Sequence, residues 1–159
     1  FISNAATFDR KLNSLDSFDN IKKSLNINLI APILITNMLS KFMIQNKKGL
    51  IVYFSSVASI VKEVGTSLYS SSKSGVETFG QTIKKELDKF NIKVANLRIL
   101  YVPTKLSNKL NNQEINELKK KFKTNKFGTI DKIFNQINKI YDLKKIPKNN
   151  LFCDDLRKN

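Results

Sequence analysis

Residues 49–56 read Gly-Leu-Ile-Val-Tyr-Phe-Ser-Ser, a continuous apolar and β-branched run that ends in two serines. A run of this kind is typical of a strand that is buried on both faces, as in parallel sheets. A helical pattern follows over about 67–90, with Phe79 and Ile83 among its periodic apolar positions. A fully buried strand followed by a long helix predicts an α/β fold.

The alternation of strands and helices continues on both sides of this pair. Upstream, a helical pattern covers about 21–45, interrupted at Pro32, and residues 1–3 predict a strand stub. Downstream, the sequence predicts a strand over 92–100, short helices within 104–126, a helix that opens at 128–129 and a last strand near 151–153. This order predicts right-handed crossovers and a parallel sheet covered on both faces. No repeat or linker interrupts the chain, so we expect a single domain over residues 1–159.

The composition excludes several kinds of chemistry. The chain has no histidine and a single cysteine, Cys153. Ser-His-Asp and Cys-His mechanisms are therefore excluded, and the usual zinc ligand sets cannot be assembled. One cysteine forms no internal disulfide, which favours a reducing, cytoplasmic setting. The longest apolar stretch, Leu29–Ile35, is too short to cross a bilayer, so we expect no membrane span.

The net charge of +15 has two interpretations. A basic protein can bind nucleic acid or an anionic surface. Nearly all of this charge is lysine, however, and arginine occurs only at Arg10, Arg98 and Arg157. Specific readers of phosphates and bases favour the arginine fork. We therefore expect a solvated lysine surface, with the densest run at 119–126, and consider nucleic-acid binding unlikely.

A tyrosine and a lysine stand four residues apart inside the helical pattern, in the stretch Tyr69-Ser-Ser-Ser-Lys73. This spacing places both side chains on one helical face. A nearby ammonium favours the phenolate, so Lys73 is expected to lower the pKa of Tyr69 and suit it to acid–base catalysis. Ser56 ends the buried strand thirteen residues earlier, at the sheet edge where ligands bind in doubly wound folds.

Each of these residues also has an ordinary interpretation. Tyr69 and Lys73 can form a surface pair, because this spacing occurs by chance in many helices. Ser56 can cap a turn. Asn28, which lies in the middle of a helical pattern, can be a polar residue on the exposed face. The residues alone leave these alternatives open.

The order of these segments resembles the short-chain dehydrogenase/reductase family. Residues 49–59 resemble its fifth strand and catalytic-serine loop, and Tyr69-Ser-Ser-Ser-Lys-Ser-Gly-Val resembles its catalytic helix. Ser3-Asn4-Ala5-Ala6 is similar to its Asn-Asn-Ala-Gly motif, and Asn26-Ile-Asn28 to the segment with its helix asparagine. Residues 92–96 resemble the sixth strand, with Thr104 after it, and 149–155 the last strand.

The resemblance implies a partial doubly wound parallel sheet of Rossmann type, with three layers, and an oxidoreductase that uses NAD or NADP. Its implied catalytic residues are Ser56, which orients an alcohol or carbonyl substrate, Tyr69, which exchanges the proton, and Lys73, which lowers the tyrosine pKa and binds the nicotinamide ribose. Asn28 would position a water that connects Lys73 to solvent. The implied cofactor-binding residues are Asn4, Ala5, Ala6, Tyr69, Lys73 and Thr104.

Three departures from the family pattern affect these expectations. The glycine-rich turn that holds pyrophosphate is missing, so the chain resembles the C-terminal two-thirds of such a domain. Ala6 replaces the glycine of the Asn-Asn-Ala-Gly motif. Ile99-Leu100 replaces the Pro-Gly after the sixth strand, which affects the expected contact of Thr104.

Two other functions are therefore considered beside an active oxidoreductase. One is a truncated, non-catalytic remnant that keeps the catalytic residues but does not hold the dinucleotide. The other, of a different class, is a basic protein that binds nucleic acid or an anionic surface. The resemblance also implies a homodimer or homotetramer formed through the helices at about 21–45 and 67–90.

Overall fold

The structure is a computed structural model that describes residues 1–100, Val102, Thr104, 111–121, 129–143 and 151–152. The expectations for Cys153, for most of the region 104–110 and for the lysines at 123 and 126 lie outside these residues. Within the described chain the strands are β1 (Ile2–Ser3), β2 (Gly49–Ser56), β3 (Ile92–Ile99) and β4 (Leu151–Phe152). The helices are α1 (Phe18–Leu25), α2 (Ala31–Asn46), α3 (Ala58–Val61), α4 (Ser67–Leu87), α5 (Asn112–Lys121) and α6 (Ile130–Asp142).

The four strands form one parallel sheet in the order β1-β2-β3-β4. Strands β2 and β3 pair along their full length, from Gly49 opposite Ile92 to Ser56 opposite Ile99. Strand β1 pairs with the middle of β2, with Ile2 opposite Val52. Because every strand runs in the same direction, the carboxyl ends of β1, β2 and β3 lie along one edge of the sheet.

Helices cover the sheet on both faces, as the continuous apolar runs predict. Three consecutive residues of β2, Ile51, Val52 and Tyr53, are each 0% exposed, which confirms burial on both faces. On one face Ile51 and Tyr53 pack with Val76 of α4. On the other, Val52 packs with Ile140 of α6. The predicted α/β fold with three layers is therefore confirmed.

A short π-helical turn connects α1 to α2. Residues Asn26–Ile30 form a π-helical turn, and Pro32 follows in the first turn of α2. Proline has no backbone N–H to donate, so the regular hydrogen-bond ladder is broken near it. The predicted interruption at Pro32 is confirmed, and the structure shows that the irregular turn precedes the proline.

The stretch from Phe18 to Asn46 is 29 residues long, and its length and composition would allow it to cross a membrane. The expectation of no membrane span considered only uninterrupted apolar residues. Core helices of soluble proteins also meet this criterion of length and composition. In the structure this stretch packs along α4, and its buried Thr36 hydroxyl contacts the Tyr53 hydroxyl at 2.6 Å.

One helix near the sheet edge was not predicted from the sequence. Helix α3 is four residues long and begins one residue after β2 ends, in a region interpreted as a loop. The Val57 carbonyl accepts hydrogen bonds from the amides of Ile60 and Val61 at 2.9 and 3.0 Å. One turn of helix is too short to produce an amphipathic period, so no sequence pattern could reveal it.

Helix α4 packs closely against the sheet at Gly80. A Cβ atom at this position would clash with Asn96 Oδ1 and would lie 2.8 Å from Tyr53 Cδ2. Asn96 is fixed by a 2.8 Å hydrogen bond to the Glu77 carbonyl, so it cannot move without loss of that bond. We predict that Gly80→Ala lowers the free energy of unfolding by about 1–3 kcal/mol through overpacking, despite the better helix propensity of alanine.

Urea unfolding followed by circular dichroism would measure this effect. Gly75→Ala on the same helix is the matched control, because its added Cβ meets only the Leu29 side chain, at 3.0 Å. Equal stability of the two variants would contradict the close approach at Gly80.

Candidate active site

A cavity of about 440 Å³ opens at the carboxyl edge of the sheet. Its volume lies within the range of small-molecule and cofactor sites. The expected site residues Asn4, Ala6, Ser56, Tyr69, Lys73 and Thr104 all line this cavity. Its apolar wall comes from the loop after β1, the end of β2, α3, the end of β3 and α6: Phe8, Phe54, Val57, Ala58, Val61, Ile99, Leu100, Val102, Ile130 and Ile133.

Ser56 is the last residue of β2 and lines the cavity together with Tyr69. The amide of Ala58 donates to Ser56 Oγ at 3.2 Å, in a turn that begins α3. This contact agrees with the interpretation of Ser56 as a turn cap. The role of Ser56 as a partner of Tyr69 stays a prediction, which the lowering of the Tyr69 pKa by the Ser56 side chain supports.

Tyr69 lies in the first turn of α4 with its ring against Phe8. The two rings meet edge to face, with centroids 4.8 Å apart. Burial raises the pKa of Tyr69, and the Ser56 hydrogen bond lowers it by a smaller amount. Lys73 is not among the causes of this shift, and the net direction is opposite to the lowered pKa that the sequence predicted, because burial removes water from the phenolate.

Lys73 is a buried lysine, 4% exposed, one turn after Tyr69. Its Nζ atom donates to the Phe54 carbonyl at 2.9 Å and lies 5.8 Å from the centroid of the Tyr69 ring. Burial lowers the pKa of Lys73 to about 8. The interpretation of Tyr69 and Lys73 as a surface pair is therefore wrong.

Asn28 is also buried, at 1% exposed, so it is not a polar residue on an exposed face. Its Oδ1 accepts from the Thr7 amide at 2.8 Å, and its Nδ2 donates to the Thr7 carbonyl at 2.8 Å and to Ser72 Oγ at 3.2 Å. The side chain thus joins the loop after β1 to the π turn and to α4. Asn28 is not among the residues that line the cavity.

The expected cofactor-binding residues outside α4 differ in whether they line the cavity. Asn4 and Ala6 line the cavity from the loop after β1, whereas Ala5 is exposed and does not line it. Thr104 lines the cavity and is exposed to solvent. The site also contains Phe8, which sequence reasoning missed because residues 8–20 carry no periodic pattern.

The donor set of the cavity fits the ribose and carboxamide end of a nicotinamide nucleotide. A lysine ammonium has three donors, and in the described structure the Phe54 carbonyl accepts one of them. The phenol, the serine hydroxyl and this ammonium converge beside an apolar wall. Among the described residues no group of three histidine, cysteine, aspartate or glutamate side chains is suited to hold a metal ion.

Comparison with known proteins identifies the family. The family model of the short chain dehydrogenases matches residues 1–115, which is more than half of the chain. A 3-oxoacyl-(acyl-carrier-protein) reductase of Bos taurus is 31% identical over 129 residues, covering 80% of this chain and 53% of that protein. Carbonyl reductase family member 4 of Xenopus laevis is 30% identical over 100 residues, covering 63% of this chain and 42% of that protein.

Solved structures show the same fold. The chain superposes on 4-hydroxyisoleucine dehydrogenase complexed with NADH and succinate with a TM-score of 0.84 and 23% identity, covering 96% of this chain and 65% of that one. A gluconate 5-dehydrogenase from Burkholderia cenocepacia J2315, in complex with NADP and tartrate, gives a TM-score of 0.82 at 18% identity, covering 95% and 61%. The expectation of NAD or NADP agrees with the nucleotides bound in those two proteins.

The chain belongs to the short chain dehydrogenase family, as its sequence resemblance implied. It spans about half the length, or less, of the two relatives named above.

The burial of Lys73 has a consequence for stability. In the unfolded chain an ordinary lysine has a pKa near 10.5, whereas burial lowers that of Lys73 to about 8 in the folded chain. Below pH 8 the Lys73 ammonium is present in both the folded and the unfolded state. Its loss of hydration in the folded state then lowers the stability of the fold. Between these two pKa values the unfolded state binds more protons, so stability rises with pH at up to roughly 1.4 kcal/mol per pH unit.

We predict that Lys73→Met removes this dependence. The stability of the wild type relative to the Met variant should rise by about 2 kcal/mol between pH 7 and pH 9.5, measured by urea unfolding. Lys85→Met, at an exposed lysine of the same helix, is the control and should give a constant difference. A constant difference for Lys73→Met as well would contradict the lowered pKa.

Proposed function

We propose that this chain carries the catalytic site of an NAD(P)-dependent oxidoreductase that interconverts a carbonyl compound and an alcohol. The observation that carries the proposal is the arrangement of Ser56, Tyr69 and Lys73. All three line a single cavity, the Ser56 side chain lowers the Tyr69 pKa, and the Lys73 ammonium lies 5.8 Å from the centroid of the phenol ring. Membership of the family supports the reaction class.

In this proposal Tyr69 is the proton donor for carbonyl reduction. Its raised pKa keeps the phenol protonated until a substrate oxygen begins to gain charge. Ser56, which lines the same cavity, holds that oxygen beside the phenol. Lys73 stabilises the phenolate that remains after proton transfer, because its ammonium is close and poorly solvated. When bound, the nicotinamide supplies the hydride chemistry.

Cofactor binding is proposed to involve both sides of the cavity. Lys73 has donors that can reach a ribose hydroxyl, and Thr104 can contact a carboxamide. Asn4, Ala5 and Ala6 belong to the loop after β1, and of these Asn4 and Ala6 line the cavity. The water proposed between Asn28 and Lys73 stays a prediction, since the Asn28 amide is already bonded to Thr7 and Ser72.

Removal of the phenol hydroxyl tests this function. We predict that Tyr69→Phe in the full-length protein lowers kcat by about 10²–10⁴-fold, the usual contribution of a positioned acid. The substitution keeps the ring contact with Phe8, so the fold should persist. Steady-state oxidation of NADH or NADPH with a panel of ketones and aldehydes would measure the loss.

Nucleotide binding provides the independent check. Calorimetric titration of NADH and NADPH should give binding to the full-length protein that Tyr69→Phe preserves. Normal turnover by the Phe variant would remove Tyr69 from the mechanism. A full-length protein that binds neither nucleotide would instead support the non-catalytic remnant.

We further propose that the protein assembles as a homodimer or homotetramer through α2 and its neighbour α4. Leu34, Met38 and Phe42 follow one another at four-residue intervals, which places them on one face of α2. These side chains are 58%, 71% and 68% exposed in the single chain. An apolar surface of this kind is typical of a protein interface.

We predict that Phe42→Lys shifts the assembly toward monomers, because each copy would bury an ammonium without a partner. Light scattering coupled to gel filtration would measure the mass. Phe134→Lys is the matched control, since this phenylalanine of α6 is 62% exposed on the opposite face of the sheet. If only Phe134→Lys dissociated the assembly, the interface would lie at α6, and the proposed interface at α2 would be contradicted.

A further inference from the structure

A buried carboxylate, Glu77 of α4, lies directly behind the candidate catalytic serine. Glu77 is 6% exposed and is one helical turn beyond Lys73, on the same face of α4. It does not line the cavity, so it is not positioned to touch a ligand there. A charge in such a place requires compensation by its neighbours.

The compensation comes first from Arg98 of β3. Arg98 Nε donates to Glu77 Oε1 at 2.6 Å, and its Nη2 donates to Oε2 at 2.7 Å. These two parallel bonds form the bidentate arrangement that fixes a carboxylate in one orientation. Arg98 pairs with Ser55 in the sheet register, so the ion pair lies at the end of β2.

Two serine hydroxyls complete the surroundings of Glu77. Ser55 Oγ donates to Oε1 at 2.6 Å, and Ser59 Oγ lies 3.0 Å from the same oxygen. Ser55 precedes Ser56 in the chain, and Ser59 follows it by three residues. Ser59 Oγ is also 2.7 Å from the Ser56 carbonyl. The carboxylate therefore holds the chain on both sides of Ser56.

The same group connects to the helix that carries the other two candidate residues. Glu77 belongs to α4, and Ser55 Oγ lies 3.4 Å from the Lys73 carbonyl as well as close to Glu77. Ser55 Oγ is thus one of the atoms through which the end of β2 contacts α4. We expect the loss of its bond to Glu77 to shift Ser56 relative to Tyr69.

We propose that Glu77, oriented by Arg98, is a positioning residue that holds Ser56 against the Tyr69 phenol through Ser55 and Ser59. This inference rests on the proposed function only for its effect on turnover. The geometric part concerns residues 55–59, whose hydrogen bonds with Glu77 and with one another exist in the chain without any ligand.

A purely structural ion pair would give a different result. Loss of such a pair lowers stability but leaves the influence of Ser56 on the Tyr69 pKa unchanged. If Glu77 positions Ser56, its removal acts on Tyr69 in the same direction as removal of the Ser56 hydroxyl itself. The titration of Tyr69 therefore separates the two roles.

The experiment is an NMR titration of Tyr69 in the protein labelled with 13C at the tyrosine ζ carbon, with Tyr69→Phe used to assign the signal. Ser56→Ala should raise the Tyr69 pKa by about 0.5 to 1, the size expected for one hydrogen bond. Glu77→Gln should raise it in the same direction, because an amide cannot accept all the donors now bonded to the carboxylate. In the Ser56→Ala background Glu77→Gln should add nothing.

Two further variants serve as controls: one removes a single hydroxyl without a change in charge, and the other tests for a general effect of charge. Ser59→Ala keeps the ion pair and removes only the hydroxyl between Glu77 and the Ser56 carbonyl, and it should raise the Tyr69 pKa by a smaller amount. Glu86→Gln makes the same charge change at an exposed position of α4 and should leave the titration unchanged. Near-UV circular dichroism verifies the fold of each variant.

The proposal is overturned if Tyr69 titrates as in the wild type in both Glu77→Gln and Ser59→Ala, or if Ser56→Ala has no effect. In the full-length enzyme Glu77→Gln should lower kcat by about 10–100-fold, as misplacement of a reacting group does, with the Kd for NADH or NADPH unchanged. Absence of wild-type turnover would count against the proposed oxidoreductase alone, because the NMR titration decides the positioning role independently.

Discussion

Strand β2 is buried on both faces, and this burial constrains the rest of the molecule. Its apolar residues require helices on both sides, and the side chains on one face bring α4 so close that only glycine fits at position 80. The strand ends where its side chains become serines. Because α4 passes close to that end, Tyr69 and Lys73 line the same cavity as Ser56. No long loop is needed to bring these three residues together. The packing of one strand thus determines both the core and the candidate site.

Much of this arrangement could be predicted from the sequence. The apolar run of β2 and the periodicity of α4 indicated the parallel sheet, since burial leaves a strong pattern in consecutive residues. The four-residue interval between Tyr69 and Lys73 indicated a shared helical face. The resemblance to the family supplied Asn28 and Thr104, which no local pattern would have selected. The helices of α1 and α2 were predicted as one bent segment, and the structure shows a π turn at the bend.

Other features could not be predicted because they depend on contacts between distant residues. The direction of the Tyr69 pKa depends on how much water the fold removes from the phenol, and the sequence does not contain that quantity. In the sequence, Glu77 and Arg98 resemble ordinary charged residues that are exposed to solvent. Only the pairing of β3 with β2 shows that they meet beneath the sheet edge. The contact of the Phe8 ring with the Tyr69 ring likewise joins residues that are far apart in the sequence.

The amide of Asn28 is bonded at both of its polar atoms, to the backbone of Thr7 and to the Ser72 hydroxyl. The loop after β1, the π turn and α4 are consequently joined by a single side chain. That loop provides Asn4 and Ala6 to one side of the cavity, and Ser72 precedes Lys73 on the other. The positions of the two sides of the cleft are therefore constrained by one amide group.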